Sequence, residues 1–147
     1  MGSYREVEGD LFKMVDNGDF EVIAQGLNCF NTQGKGISHE FIKRYKTDDF
    51  PMELKDMGSI NKLGCYDYIG YDGIIIVNCY TQYAPGVDFV EEALTMCLWK
   101  INYQFSGYRI GLPLIGGGIA GGDPEIIKKI IKEQLKDCDV TLVLYNK

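Results

Sequence analysis

A chain of 147 residues, 46% hydrophobic and 24% charged, is long enough for one buried core and has the make-up of a globular protein. Its formal net charge of -6 argues against a surface that neutralises a nucleic-acid backbone, and leaves a small phosphorylated ligand open, because backbone N–H groups bind phosphate without basic side chains. No apolar run approaches the roughly 20 residues that span a bilayer, and Met1 to Glu6 has no apolar stretch of the signal-peptide kind.

Strand and helix signals alternate along the chain. Phe20 to Ala24 reads as a strand leading into a loop. Ile37, Phe41 and Tyr45 then share one face of a helix. Lys46 to Asn61 is polar and carries no clear pattern. Cys65 to Ile69 alternates, Asp72-Gly73 turns, and Ile74 to Val77 follows, which predicts a hairpin. Val90, Leu94, Cys97, Ile101 and Phe105 mark a second helix, with Trp99 expected as packing. Ile110 to Leu114 and Val140 to Tyr145 are further strands. Between them Ile126, Ile127, Ile130, Ile131 and Leu135 stripe a third helix, started by Asp123 as N-cap, Pro124 and Glu125. The continuous apolar runs suggest strands covered on both faces, so the expectation is one α/β domain over residues 1–147 with a mixed sheet between helix layers.

Five cysteines, odd in number and widely spaced, argue against a disulfide framework or a zinc site and for a reducing cytoplasm. The single histidine, His39, excludes multi-histidine metal chemistry and falls on the polar side of the first helix. Chemistry is instead suggested by two glycine-rich segments, each between a strand end and a helix start. One is Asn28-Cys29-Phe30-Asn31-Thr32-Gln33-Gly34-Lys35-Gly36-Ile37; the other is Leu114-Ile115-Gly116-Gly117-Gly118-Ile119-Ala120-Gly121-Gly122-Asp123. Neither fits the dinucleotide fingerprint or the P-loop. Glycine lets backbone approach a ligand, and a helix start adds unpaired N–H donors, so the pair would form a cleft for a diphosphate.

These segments, with Glu8-Gly9-Asp10-Leu11 and Asn78-Cys79-Tyr80-Thr81-Gln82-Tyr83, appear in the order found in macrodomains. The chain resembles that superfamily from about Tyr4 to Tyr145, and within it the short phage, bacterial and fungal proteins described as ADP-ribose 1''-phosphate phosphatases. The resemblance implies a three-layer α-β-α fold with a central mixed sheet. It implies ADP-ribose or its 1''-phosphate as ligand, no cofactor, no metal and no membrane. Asp10 would accept from the adenine amino group with Leu11 beside it. Asn28 would bind the distal ribose hydroxyls. Gly34, Gly36 and Ile37 would line one wall, with Gln25, Leu27, Thr32 and Gln33 in the adjoining strand and loop. Ile115, Gly116, Gly117, Gly118, Ile119 and Ala120 would form the other. Tyr80, Thr81 and Gln82 would close the distal-ribose end, and Tyr145 and Asn146 would flank the adenine.

The departures bear on catalysis. Gln25 stands where many phosphatase-like relatives carry a histidine, and glutamine is neither acid nor base near neutral pH. Gln33 replaces the family's methionine, Pro124 its tryptophan, and Ala120 stands where glutamate-linked ADP-ribosyl hydrolases place an aspartate. Asp123 is then the catalytic candidate, with Asn28, for phosphate removal; Asp123 is equally suited to capping its helix. The leading expectation is an ADP-ribose-binding, metal-independent phosphatase acting on ADP-ribose 1''-phosphate; the alternatives are a non-catalytic ADP-ribose reader or sequestering module, or an ADP-ribosyl hydrolase acting on a modified protein or nucleic acid.

Overall fold

The structure is a computed structural model and describes residues 2–30, 36–47, 58–118 and 120–145. The elements in order are β1 (Ser3–Gly9), α1 (Leu11–Asp16), β2 (Val22–Asn28), α2 (Ile37–Tyr45), β3 (Tyr66–Tyr71), β4 (Ile74–Gln82), α3 (Glu91–Gln104), β5 (Arg109–Leu112), α4 (Pro124–Gln134) and β6 (Asp139–Tyr145), with a 3-10 turn at Ile60–Lys62. They form a six-stranded sheet in the order β1-β6-β5-β2-β4-β3. Every pairing is parallel except β3 with β4.

Period-two alternation divides the core between the two sheet faces. Val22, Ala24, Val77, Cys79, Ile110, Leu112, Val140 and Leu142 pack against Leu94, Leu98 and Ile101 of α3 and Ile127 and Ile131 of α4. Ile23, Ile76 and Val143 point the other way, onto Leu11 and Phe12 of α1 and Phe41 and Tyr45 of α2. A mostly parallel sheet with both faces covered by helices is the three-layer arrangement that the apolar runs predict. Among the described residues no helix is long and apolar enough to cross a membrane.

The hairpin forms at Asp72-Gly73, whose φ values of 54° and 86° are both positive, as a two-residue turn between twisted strands demands. Strand β5 stops at Leu112, short of the expected Leu114. Pro113 has no N–H for the ladder, and the Ile115 N–H turns back to the Pro113 carbonyl at 2.8 Å. Trp99 is not core packing: it is 49% exposed on the outer face of α3, in edge contact with Tyr103.

Strand order places a crevice at one end of the sheet. After β2 the chain moves to the β4-β3 side of the sheet; after β5 it moves to the β6-β1 side. Strands β2 and β5 are neighbours, so the connections leave in opposite directions from between them. Such a switch point leaves an open crevice at the carboxyl ends of the strands.

Candidate ligand cleft

A cleft of about 590 Å³ opens at this switch point. Gly26, Leu27 and Asn28 contribute from the end of β2, Thr81 and Gln82 from the end of β4, and Pro113 to Gly116, Gly118 and Ala120 from the loop after β5. The start of α2 supplies Gly36, Ile37 and Ser38, and the loop after β4 supplies Pro85 and Gly86. A cleft of this size, mainly apolar with a few polar groups, suits a small molecule.

Two backbone irregularities shape it. In the β2–β4 register Leu27 pairs with Tyr80 but Asn28 pairs with Gln82, so Thr81 is an extra residue opposite their junction. The bulge lets the consecutive residues Thr81 and Gln82 both reach the cleft, which regular alternation forbids. In the loop after β5, Gly116 has φ of 79°, a conformation L side chains rarely adopt. The loop closes on itself through Gly117 N–H to Leu114 O (3.1 Å), Gly121 N–H to Gly118 O (3.1 Å) and Gly122 N–H to Gly116 O (2.8 Å). Among the described residues, the N–H groups of Gly116, Gly118 and Ala120 donate to no carbonyl, and all three residues line the cleft. Unused donors gathered at a turn form an anion-binding concavity. The first turn of α2, entered through Gly36 as N-cap, lines the same space, and among the described residues the N–H groups of Ile37 and Ser38 donate to no carbonyl.

Asn28 is 6% exposed and lines the cleft; its Oδ1 also accepts from the Phe30 N–H at 2.9 Å. Asp123 does not line it. Its carboxylate accepts from the Glu125 N–H at 2.9 Å as the N-cap of α4 and is exposed. Asp10 likewise caps α1, accepting from Phe12 N–H at 2.9 Å, and Leu11 is buried in the core behind it. Asp10 and Tyr145 are brought to one place, since Gly9 pairs with Tyr145 across β1 and β6; Tyr145 is 71% exposed. Gly117 is set back from the lining, where an added Cβ would meet Leu114 Cδ2 at 2.6 Å. Thr32, Gln33, Gly34, Ile119 and Asn146 lie outside the described residues.

Gln25 and Tyr80 are fully buried, away from the lining. Gln25 donates to Asn78 Oδ1 at 3.0 Å, and Asn78 donates to the Thr47 carbonyl at 3.2 Å. The Tyr80 hydroxyl donates to Asp67 at 2.8 Å, and the Lys62 ammonium sits 4.3 Å from the Tyr80 ring centroid. Burial pushes the Asp67 carboxyl up, against the opposing pull of the Tyr80 hydroxyl and Lys62. Burial also raises the Cys29 thiol, with Lys62 acting the other way. Gln25, Asn78, Tyr80 and Asp67 share the α2 face of the sheet: Gln25 pairs with Asn78 and Asn78 with Asp67, one pleat below the Leu27–Tyr80 pair. Sequence reasoning expected Gln25 and Tyr80 at the ligand, where burial instead turns them into the sheet, and it missed Asp67 and Lys62, because an aspartate and a lysine read as surface residues. It also missed Gly26, Ser38, Pro85, Gly86 and Pro113 in the lining, and His39 is exposed as expected.

The six-stranded sheet, its helix layers and the crevice at the switch point define the macrodomain fold, and solved structures of that fold superpose on 96% or more of the chain. The macrodomain of Thermus aquaticus DarG has a TM-score of 0.73 at 18% identity over 100% of both chains. Thermosipho africanus DarTG, solved in complex with ADP-ribose, has a TM-score of 0.75 at 13% identity, covering 96% of this chain and 41% of that one. In sequence, the chain is similar to a 17.5 kDa protein of the tk-vs intergenic region of Enterobacteria phage T4, 29% identical over 93% of each. No family model matches.

Proposed function

We propose that the protein binds ADP-ribose in this cleft, the diphosphate on the loop from Gly116 to Ala120 and the distal ribose at Asn28. The observation that carries the reading is the set of three N–H groups, of Gly116, Gly118 and Ala120, without carbonyl partners among the described residues on a cleft wall. The fold is that of a protein solved with ADP-ribose, and Asp10 and Tyr145 meet at the neighbouring strand ends, where the adenine would lie.

Binding without turnover is favoured over phosphate removal by the lining itself. Among the described lining residues none is an acid or a base near neutral pH, and proton transfer needs such a group within hydrogen-bond reach. Gln25, at the position of the phosphatase histidine, serves as a buried strut to Asn78. A metal-independent phosphatase acting on ADP-ribose 1''-phosphate is the second reading. It rests on Asp123, which directly follows Gly122 at the end of the glycine loop and keeps an exposed carboxylate.

One pair of assays separates the two. Calorimetry with ADP-ribose reports binding, and phosphate release from ADP-ribose 1''-phosphate in EDTA reports turnover. Binding with no release beyond background is the expected result. Release over many turnovers, lost in Asp123→Ala, would replace the reader with the phosphatase.

A further inference from the structure

The glycine loop rests on a side chain that belongs to none of the motifs. A Cβ placed on Gly116 would lie 2.3 Å from Phe89 Cδ1 and 2.4 Å from Cε1; one on Gly122 would lie 2.7 Å from Phe89 Cδ2. The two glycines are joined by Gly122 N–H to Gly116 O at 2.8 Å, so the base of the loop lies across one ring, one edge under each glycine. The Phe89 N–H also donates to the Ala120 carbonyl at 3.3 Å. Ring and backbone together hold the segment whose Gly116, Gly118 and Ala120 N–H groups donate to no carbonyl among the described residues.

Phe89 is itself held by the strap between β4 and α3. Both amide hydrogens of Gln82 are committed, to Ala84 O at 2.8 Å and Gly86 O at 2.9 Å. Asp88 Oδ2 accepts from Ala84 N–H at 2.8 Å. Phe89 bridges back to Gln82, and Val90 N–H donates to Thr81 O at 2.9 Å. At the outer end, a Cβ on Gly121 would meet Val87 Cγ1 at 2.7 Å, although Val87 is 81% exposed. Pro85 and Gly86 of the same strap line the cleft.

We infer that Phe89 is a positioning residue for the anion-binding loop, and that Gln82 acts mainly by fixing the strap that presents Phe89. A donor array binds tightly only when its geometry is fixed before the ligand arrives, because ordering it on binding subtracts from affinity. Removing the ring frees the loop to sink or rearrange, and the cost falls on the diphosphate. This inference rests on the proposed diphosphate site.

The test titrates wild type and Phe89→Ala with ADP-ribose and with adenosine, which has no phosphate, following backbone amide shifts by NMR. Phe89→Ala is expected to weaken ADP-ribose binding by about tenfold or more while adenosine binding stays within about twofold. If that variant does not fold, Phe89→Leu, which keeps apolar bulk without the flat ring, is expected to lose about threefold for ADP-ribose alone. Undiminished ADP-ribose binding by a folded variant overturns the inference and leaves the ligand reading standing. So do equal losses for both ligands, which mark a purely structural role. Failure of wild type to bind ADP-ribose overturns the ligand reading, and the inference falls with it.

Discussion

Asp123 shows how one side chain divides between two roles. Its carboxylate accepts from the Glu125 N–H, Pro124 follows in the first turn, and the cleft lining does not include it. Asp123→Ala is therefore expected to cost about 1 kcal/mol of stability, the usual loss for an N-cap. Chemical denaturation measures that, and calorimetry should show ADP-ribose affinity within about twofold of wild type. The capping role was legible because Asp-Pro-Glu before an apolar stripe has a local meaning. The burial of Tyr80 and Gln25 was not, because it depends on which pleat of β4 and β2 meets α2. Phe89 was hidden for a different reason: what it supports is two missing Cβ atoms, and a glycine gives no sign of what lies beneath it.

Among the elements, those with strong periodicity or a defined turn were read correctly from sequence: α2, α3, α4 and the β3–β4 hairpin. Strand β1 was missed because Arg5, Glu6 and Glu8 break its apolar pattern, as an edge strand permits. Helix α1, six residues long, is too short to show a helical period. The junction of α3 and β6 carries a prediction of its own. Cys138 is buried, its thiol donating to the Phe105 carbonyl at 3.3 Å. Burial pushes its pKa up to about 11 from an ordinary value of 9.0. The folded thiol keeps its proton where the unfolded thiol has lost it, so unfolding releases protons and stability falls as pH rises from 9.0 to about 11. Melting temperatures across that window should fall less steeply in Cys138→Ala than in wild type. Parallel slopes would place the loss at other groups.

At the scale of the molecule, the site follows from strand order more than from any single motif. Chain reversal between β2 and β5 leaves a crevice, and both glycine-rich segments open from strands beside it. The alternation of strands and helices made the layered fold legible. The strand order was not, since nothing local tells β5 to insert between β6 and β2. The central claim is that the donors of the Gly116 loop bind the diphosphate of ADP-ribose. Calorimetric titration of wild type and Gly116→Ala with ADP-ribose tests it most directly, because an alanine there would be strained at φ of 79° and pressed against Phe89. The account predicts one-site saturable binding by wild type, and loss of about tenfold or more in a Gly116→Ala protein that still melts cooperatively. No binding by wild type at millimolar ADP-ribose, or undiminished binding by the folded variant, would contradict it.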